Sequence, residues 1–339
     1  MARSYREFRS SKPNGMNLVT LRASRSASLA LLPILTFRSL AKRTVRIAIL
    51  GRPDSWYARD LSRALHDRGH LPCLVPFERL ATAVALPQLA SVSVTGHDLS
   101  RCDAIIVRTM PPGSLEQVVF RMDALVRLQA AGIEVLNPPK AIECAVDKYL
   151  TTARLAEAGL PVPETVVCET ASYAMEVFSA LGGDVVIKPI FGSEGRGIVR
   201  VSDPDLALRT FRTIERTQSV LYLQRFVDHP GCDLRVMVLN GRILGGMQRC
   251  CPDDFRVNVS RSGQARQITL TSEQEEWAIR SAAAVGATLA GIDLLTDREG
   301  RSYVIEVNGV PGWQAFRRVT GCDVASEVIR FLEIQCGQD

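Results

Sequence analysis

Two groups of residues have the types and the spacing to do chemistry. In the first, the run Asp184-Val185-Val186-Ile187 ends in Lys188-Pro189 and leads into Gly192-Ser193-Glu194-Gly195-Arg196-Gly197. Three glycines in six residues, with a serine between them, free backbone N–H groups to surround phosphate oxygens. A lysine held at the end of the preceding strand can reach the same phosphates as a point charge. Without that lysine, a flexible hairpin loop would be the simpler reading.

The second group is Asp293 with Glu306 and Asn308, in two β-rich runs flanking Asp297-Arg298-Glu299-Gly300. Side chains alternate along a strand, so Glu306 and Asn308 share one face while Ile305 and Val307 point to the opposite, core-facing side. A turn centred on Glu299-Gly300 sets Asp293 directly opposite Glu306, with Cβ atoms ~5 Å apart. Two carboxylates that close repel unless one is protonated or a cation joins them. With an amide oxygen they make a hard donor set suited to Mg²⁺ that substrate phosphates also hold. A solvated face with counter-ions is an equally simple reading.

Positioning these groups requires a framework. Val45 to Leu50 reads as a strand ending at Gly51, followed by a helix with Ala58, Leu61, Ala64 and Leu65 on one face. Ala104 to Val107 and Ile133 to Leu136 read as further buried strands. Between them Leu115, Val118, Val119, Met122, Leu125 and Val126 mark one face of a long helix closed by Gly132. This repeating βα pattern predicts an α/β N-terminal domain over 44–138, bounded by Asn137-Pro138-Pro139. Beyond it, Asn240-Gly241 between two apolar runs predicts a two-residue hairpin and hence antiparallel strands. Ser272-x-x-Glu275 reads as a capping box opening the helix with Trp277, Ala278, Ser281, Ala282 and Val285.

The chain's 339 residues suggest roughly two domains at about 150 residues each. A composition of 46% apolar and 23% charged residues is that of a globular protein. Residues 1–43 hold nine Lys or Arg against Glu7 alone, so the net charge of +5 sits in this leader and the remainder is mildly acidic. The chain therefore carries no sign of a nucleic-acid partner. The basic, Ser-rich leader is expected to be disordered; it reads as a targeting segment or as the product of an upstream start, with Met16 or a later residue as the true one. Its apolar run, Leu29 to Leu35, is interrupted by Pro33 and is far short of the ~20 residues that cross a bilayer, so no membrane partner is expected. Gly51-Arg52-Pro53-Asp54 lacks the second and third glycines of a dinucleotide fingerprint, and no P-loop occurs. Nine cysteines without C-x-x-C or zinc spacing read as reduced thiols of a cytoplasmic protein, the adjacent Cys250-Cys251 included.

Eight segments, in order, resemble the RimK-like family of ATP-grasp ligases. They are Asp147-Lys148, Lys188-Pro189, Gly192 to Gly197, Leu223 to Val227, Cys232 to Arg235, Arg256-Val257-Asn258, Gly291-Ile292-Asp293 and Glu306-Val307-Asn308-x-x-Pro311-Gly312. The resemblance covers about residues 44–339. It implies an α+β ATP-grasp module over 139–339, with two lobes carrying antiparallel sheets at about 139–220 and 221–339. It also implies an enzyme that phosphorylates a carboxylate with ATP and lets an amine attack the acyl phosphate, releasing ADP and phosphate. By the same resemblance Lys148 and Lys188 contact phosphate, and Gly192, Ser193, Glu194, Gly195, Arg196 and Gly197 form a phosphate lid. Gln224, Arg225, Phe226 and Val227 form the hinge facing adenine, and Asp233 is the ribose-side acid. Asp293, Glu306 and Asn308 are the implied ligands of Mg²⁺ or Mn²⁺, two ions being expected, in agreement with the hairpin argument. Arg249, Arg256 and Asn258 are the candidates for holding the acyl phosphate or a substrate carboxylate, because arginine forks match such groups.

The sequence departs from the family pattern near the acceptor. Val259-Ser260-Arg261-Ser262-Gly263 stands where protein-modifying members carry a histidine and paired glycines, and Trp313-Gln314-Ala315-Phe316-Arg317 follows Pro311-Gly312. The expected substrates are therefore L-glutamate and a small-molecule or peptide carboxylate. Trp313 and Phe316 either face a planar, tetrahydromethanopterin-type acceptor or pack in the core. Modification of a carrier protein, as in lysine or arginine biosynthesis, and ATP sensing without ligation are the rival readings. A homo-oligomer is compatible with either.

Overall fold

The computed structural model describes residues 44–86, 88–192, 195–251, 254–256 and 264–337. The chain begins with β1 (Arg46–Leu50), α1 (Trp56–Asp67) and β2 (Leu71–Val75), then the short strands β3 (Leu80–Thr82), β4 (Val92–Val94) and β5 (His97–Asp98). β6 (Ala104–Val107), α2 (Leu115–Ala130) and β7 (Glu134–Leu136) follow. Strands β1, β2, β6 and β7 form one parallel sheet in the order β2-β1-β6-β7. The order reverses between β1 and β6, and ligands of open α/β sheets gather beyond the carboxyl ends of strands at such a reversal. The buried face of α2 runs through Arg121, Met122, Leu125 and Leu128. Leu115, Val119 and Val126, expected on that face, are exposed, because they lie to one side of the stripe that meets the sheet.

The next elements are α3 (Pro139–Val146), α4 (Lys148–Glu157), β8 (Thr165–Cys168), α5 (Ala171–Ala180), β9 (Val185–Lys188), β10 (Val199–Val201), α6 (Pro204–Arg216) and β11 (Leu221–Arg225). β10-β9-β11-β8 is an antiparallel sheet. Val185, Ile187, Leu221 and Leu223 pack on Ala174 and Phe178 of α5 and on Ala207 and Phe211 of α6. Strand alternation therefore turns Val186, Lys188 and Gln224 to the opposite face. β11 pairs with both β8 and β9, so the chain leaves this sheet after Arg225 and not at the expected 220/221 division.

The last sheet, β14-β13-β12-β15-β16, is built from β12 (Cys232–Leu239), β13 (Arg242–Cys250), β14 (Gln264–Ile268), β15 (Leu289–Thr296) and β16 (Ser302–Asn308). Asn240 and Gly241 both have positive φ, and Leu239 pairs with Arg242, which is the expected two-residue hairpin. Helix α7 (Ser272–Val285) covers one face through Ala278, Ala282 and Val285, against Val236, Ile292 and Val304. Its capping box is Thr271 with Gln274, one residue before the expected Ser272 and Glu275; both reciprocal bonds are made.

The chain ends with α8 (Gln314–Thr320) and α9 (Val324–Gln335), which return to the parallel sheet. Trp313, Phe316, Val328 and Leu332 share one core with Ile47, Ile49 and Leu61 of the parallel-sheet layer and with Met237, Met247 and Leu289 of the last sheet. Of the two readings of Trp313 and Phe316, the core one is realised: both are fully buried, and Trp313 Nε1 donates to Asp60 Oδ2 at 3.0 Å. No helix of the described residues is long and apolar enough to cross a membrane.

One expectation about the cysteines is overturned. Cys232 and Cys250 are joined by a disulfide, and the other seven cysteines take part in none. The antiparallel register of β12 and β13 sets them directly opposite each other, a proximity that the linear spacing hides.

Candidate active site

An open cleft lies between the faces of the two antiparallel sheets that their helices leave uncovered. From the first sheet come Val186, Lys188, Gln224 and Arg225, with Gly192, Gly195 and Arg196 of the glycine loop and Phe226 and Val227 of the crossing segment. Lys148 adds its side chain from the first turn of α4. Asp233, Leu295, Ile305 and Glu306 come from the last sheet, and His229, Phe255 and Arg256 close one side. Ser193, Glu194 and Asn258 lie outside the described residues.

Both expected phosphate-contacting lysines face this cleft. Lys188 Nζ donates to Gln224 Oε1 at 2.7 Å, and Lys148 Nζ to the Gly192 carbonyl at 2.7 Å. Gln224 is itself oriented, its Nε2 donating to Thr165 Oγ1 at 2.9 Å and to Tyr222 Oη at 3.1 Å. Burial pulls the Lys188 ammonium down to a pKa of about 8, with Lys148 adding to the fall and Glu306 opposing it. The loop turns sharply at Gly195 and Gly197, both at positive φ. A Cβ on Gly197 would also meet Pro189 Cγ at 2.8 Å.

The hinge segment leaves the first sheet with Phe226 N–H bonded to the Asp184 carbonyl at 2.9 Å. Arg200, clamped by Asp184, lies 3.4 Å over the Phe226 ring. Phe255 meets Phe226 edge-on at 6.3 Å. Together with Val186, Ile198, Leu295 and Ile305 these rings give one end of the cleft the apolar walls that a planar base requires. Phe255 and His229 were missed by sequence reasoning, and the only local signal was the aromatic next to Arg256.

Asp293 stands opposite Glu306, as the hairpin argument expects, but by a different route. Thr296 pairs with Ser302, so the turn centres half a position earlier, on Glu299. A bulge then skips Ile305 and restores the pairing. The extra residue turns Ile305 into the cleft beside Glu306, whereas Val304 and Val307 stay in the core; Ile305 was expected to face the core.

Asp293 is fully buried within a chain of four alternating charges. Arg235 grips it with two bonds, Nε to Oδ1 and Nη2 to Oδ2, the latter at 2.7 Å. Arg249 reaches Oδ1 at 3.1 Å and is itself clamped on Asp233, with Nε to Oδ1 at 2.8 Å. Asp233 and Arg235 are two apart on β12 and so share a face, pairing outward with Arg249 on β13 and Asp293 on β15. Burial alone would raise the Asp293 pKa, but Arg235 and Arg249 outweigh it and hold the carboxyl below its ordinary value. Burial also works against the Arg249 cation; Asp293 and Asp233 prevail and raise its pKa. Sequence reasoning did not single out Arg235, although Asp-x-Arg on a strand is a readable same-face pair.

The donors present fit a hard divalent cation. Among the described residues no cluster of three His, Cys, Asp or Glu forms a metal site, and the candidate set is two acids with an amide. Asn308 lies with its amide 3.5 Å from Asp293 Oδ2, and Glu306 faces the cleft across from Lys188. Asp293 would share its carboxylate between a cation and two arginines, so among the described residues Glu306 is the anionic donor with no competing guanidinium bond. Arg256, held by Asp254 through Nη2 to Oδ2 at 2.7 Å, is half-exposed at the rim.

A family description, the RimK-like ATP-grasp domain, matches residues 145–332. The chain is 34% identical over 312 residues to the tetrahydromethanopterin:alpha-L-glutamate ligase of Methanosarcina acetivorans, covering 83% of this chain and 96% of that protein. It is 29% identical over 294 residues to the ribosomal protein bS6–L-glutamate ligase of Salmonella paratyphi B, covering 85% and 96%. Among solved structures, the ATP-grasp ligase PsnB complexed with a minimal precursor superposes with a TM-score of 0.70 at 22% identity, over 86% of this chain and all of that one. A RimK domain ATP-grasp protein from Sphaerobacter thermophilus gives 0.66 at 22%, over 85% and 99%. At such identities these two likenesses speak for the fold.

Proposed function

The chain belongs to the RimK-like ATP-grasp family and is an ADP-forming ligase, and on that premise we propose that it joins L-glutamate to a carboxylate of a small molecule through an acyl phosphate. The observation that carries the chemistry is the meeting, in one cleft, of Lys148, Lys188 and the glycine loop from one sheet with Glu306 from the other. Support for glutamate and for a small, pterin-type acceptor comes from the 34% identical relative, whose name states both. A peptide carboxylate is the wider version of the same reading.

In this reading adenine lies against Phe226 and Leu295, and the phosphates extend toward Lys188, Lys148 and the loop. Glu306 and Asn308, with a share of Asp293, would hold Mg²⁺ or Mn²⁺, which when bound neutralises charge building on the transferring phosphoryl group. Lys188 supplies a fixed positive charge to the same group, pre-aimed by Gln224. A substrate carboxylate oxygen attacks the terminal phosphorus, ADP leaves, and the amine of glutamate displaces phosphate from the acyl carbon while losing a proton. Arg256 lines the cleft in which the acyl phosphate would form; Arg249 is not among the lining residues, its fork being held by Asp233 and Asp293, so in this reading it fixes those two carboxylates. No covalent protein nucleophile is required.

The test is mass spectrometry of the protein incubated with ATP, Mg²⁺, isotope-labelled L-glutamate and a deproteinised metabolite extract, with ADP followed in parallel. A labelled glutamyl product formed together with ADP supports the reading and identifies the acceptor. ADP formation that depends on a different amino acid, or on added protein, replaces it.

A further inference from the structure

Arg108 follows β6 at the reversal point of the parallel sheet, where its backbone N–H is bonded to the Leu50 carbonyl at 2.9 Å. Its side chain is 5% exposed, yet among the described residues it forms no ion pair with any carboxylate. Nη2 donates to the Pro311 carbonyl at 2.9 Å, while Nε has no acceptor. The guanidinium lies 4.2 Å from the Trp313 ring centre and 4.8 Å from that of Tyr57. These rings stabilise a cation, but they do not replace the hydrogen bonds that water would have given it. Burial accordingly pulls its pKa down to about 10, far below that of an ordinary arginine.

The surroundings join this cation to the reaction centre. Pro311 comes three residues after Asn308, and a Cβ on Gly291 would lie 3.0 Å from Pro311 Cβ and 3.1 Å from Arg235 Nη1. Pro311 thus separates Arg108 from the guanidinium that grips Asp293. Two glycines keep the space tight: a Cβ on Gly51 would meet Arg108 Cβ at 3.1 Å, and one on Gly312 would meet Tyr57 Oη at 2.6 Å.

We propose that Arg108 anchors a substrate carboxylate other than the one activated by ATP, at a subsite between the reversal point of the parallel sheet and the Pro311-Gly312 loop. The proposal rests on the ligase reading for the identity of the substrates, but not for the existence of the subsite. An unspent N–H on a buried planar cation is the recognition element for a carboxylate, and only an anion supplies both the missing acceptor and the missing charge. Two sources offer that chemistry: the incoming amino acid and an acidic acyl donor.

Titration calorimetry on the full chain, with saturating ATP analogue and Mg²⁺, separates them. The probes are L-glutamate and its two monoamides for the amino acid, and glutarate and its monoamide for the acyl donor. Wild-type protein is expected to prefer a carboxylate over the matching amide about 10-fold or more in one series. Arg108→Gln should abolish that preference while leaving ATP affinity unchanged. Arg108→Lys, which keeps charge but loses the fork, should fall between and covers the case in which the glutamine variant fails to fold. A purely structural role would weaken acid and amide alike. The proposal is overturned if wild type shows no preference in either series, or if both folded variants retain it. Because binding is read without turnover, a protein that made no glutamyl product could still pass this test.

Discussion

Lys188 and Gln224 are joined side chain to side chain across β9 and β11, Nζ to Oε1 at 2.7 Å, so the ammonium that faces the cleft is held by a neutral acceptor. A neutral partner positions the lysine without cancelling its charge. It also leaves the desolvation of Lys188 only partly offset, which is why its pKa falls to about 8.

A pH dependence follows from that value. In the free enzyme Lys188 loses its proton above about pH 8, so kcat/KM for ATP should fall on the alkaline side with that midpoint. Bound phosphate favours the ammonium, so kcat should hold to higher pH. For stability the sign is opposite: from about pH 8 to the ordinary lysine range the unfolded chain keeps a proton that the native protein has released, so this group makes stability rise with pH there. Lys188→Met should remove both effects. An alkaline limb of kcat/KM unchanged by the substitution would take Lys188 out of phosphate binding.

Glu306→Gln and Asp293→Asn test the same candidate metal set and should behave differently. Among the described residues Glu306 has no guanidinium bond, and it faces the cleft, so its amide should leave the melting temperature nearly unchanged while kcat/KM falls about 100-fold or more. Asp293 neutralises two buried arginines, and Asp293→Asn leaves them short of charge, which should cost about 3 kcal/mol or more besides activity. Denaturant unfolding of both variants beside ADP release decides it, and equal stability losses would refute the division of roles.

Trp313→Ala is predicted to act through the core. The indole is fully buried against the parallel-sheet layer and bonded to Asp60, so truncation should destabilise by about 3–5 kcal/mol. Were the ring an acceptor platform instead, the variant would melt like wild type and lose affinity only for the acceptor.

Much of this arrangement is legible in the sequence because it follows from local rules. Period-two alternation sets Glu306 and Asn308 on one face, Asn240-Gly241 fixes a hairpin, and Lys188-Pro189 before a glycine loop marks a lysine and a loop that line one cleft. What was not legible depends on pairing between distant strands. The bulge at Ile305 is invisible in a run of alternating residues, yet it decides that Ile305 lines the cleft. The pairing of Asp233 with Arg249 and of Arg235 with Asp293 needs β13 and β15 on either side of β12, an order the chain does not spell out. Likewise Trp313 can be assigned to the core only once α8 and α9 are known to return to the sheet built by the first strands of the chain.

The disulfide is the feature most open to direct chemical test. Cys232 and Cys250 flank the Asp233–Arg249 pair, because the same register of β12 and β13 sets residues 232 and 233 opposite 250 and 249. Alkylation of the purified, denatured protein without reductant should label seven of the nine cysteines, and prior reduction should raise the count to nine. Peptide mapping should place the two protected thiols at 232 and 250, with Cys251 labelled despite being adjacent. Since β-sheet hydrogen bonds already hold the hairpin together, reduction should lower stability by no more than the ~3 kcal/mol of a short closed loop. Activity should survive, because Arg249 keeps both carboxylates. Nine labelled cysteines without reductant would show that the two thiols face each other unbonded in solution, as the expectation of reduced cysteines held.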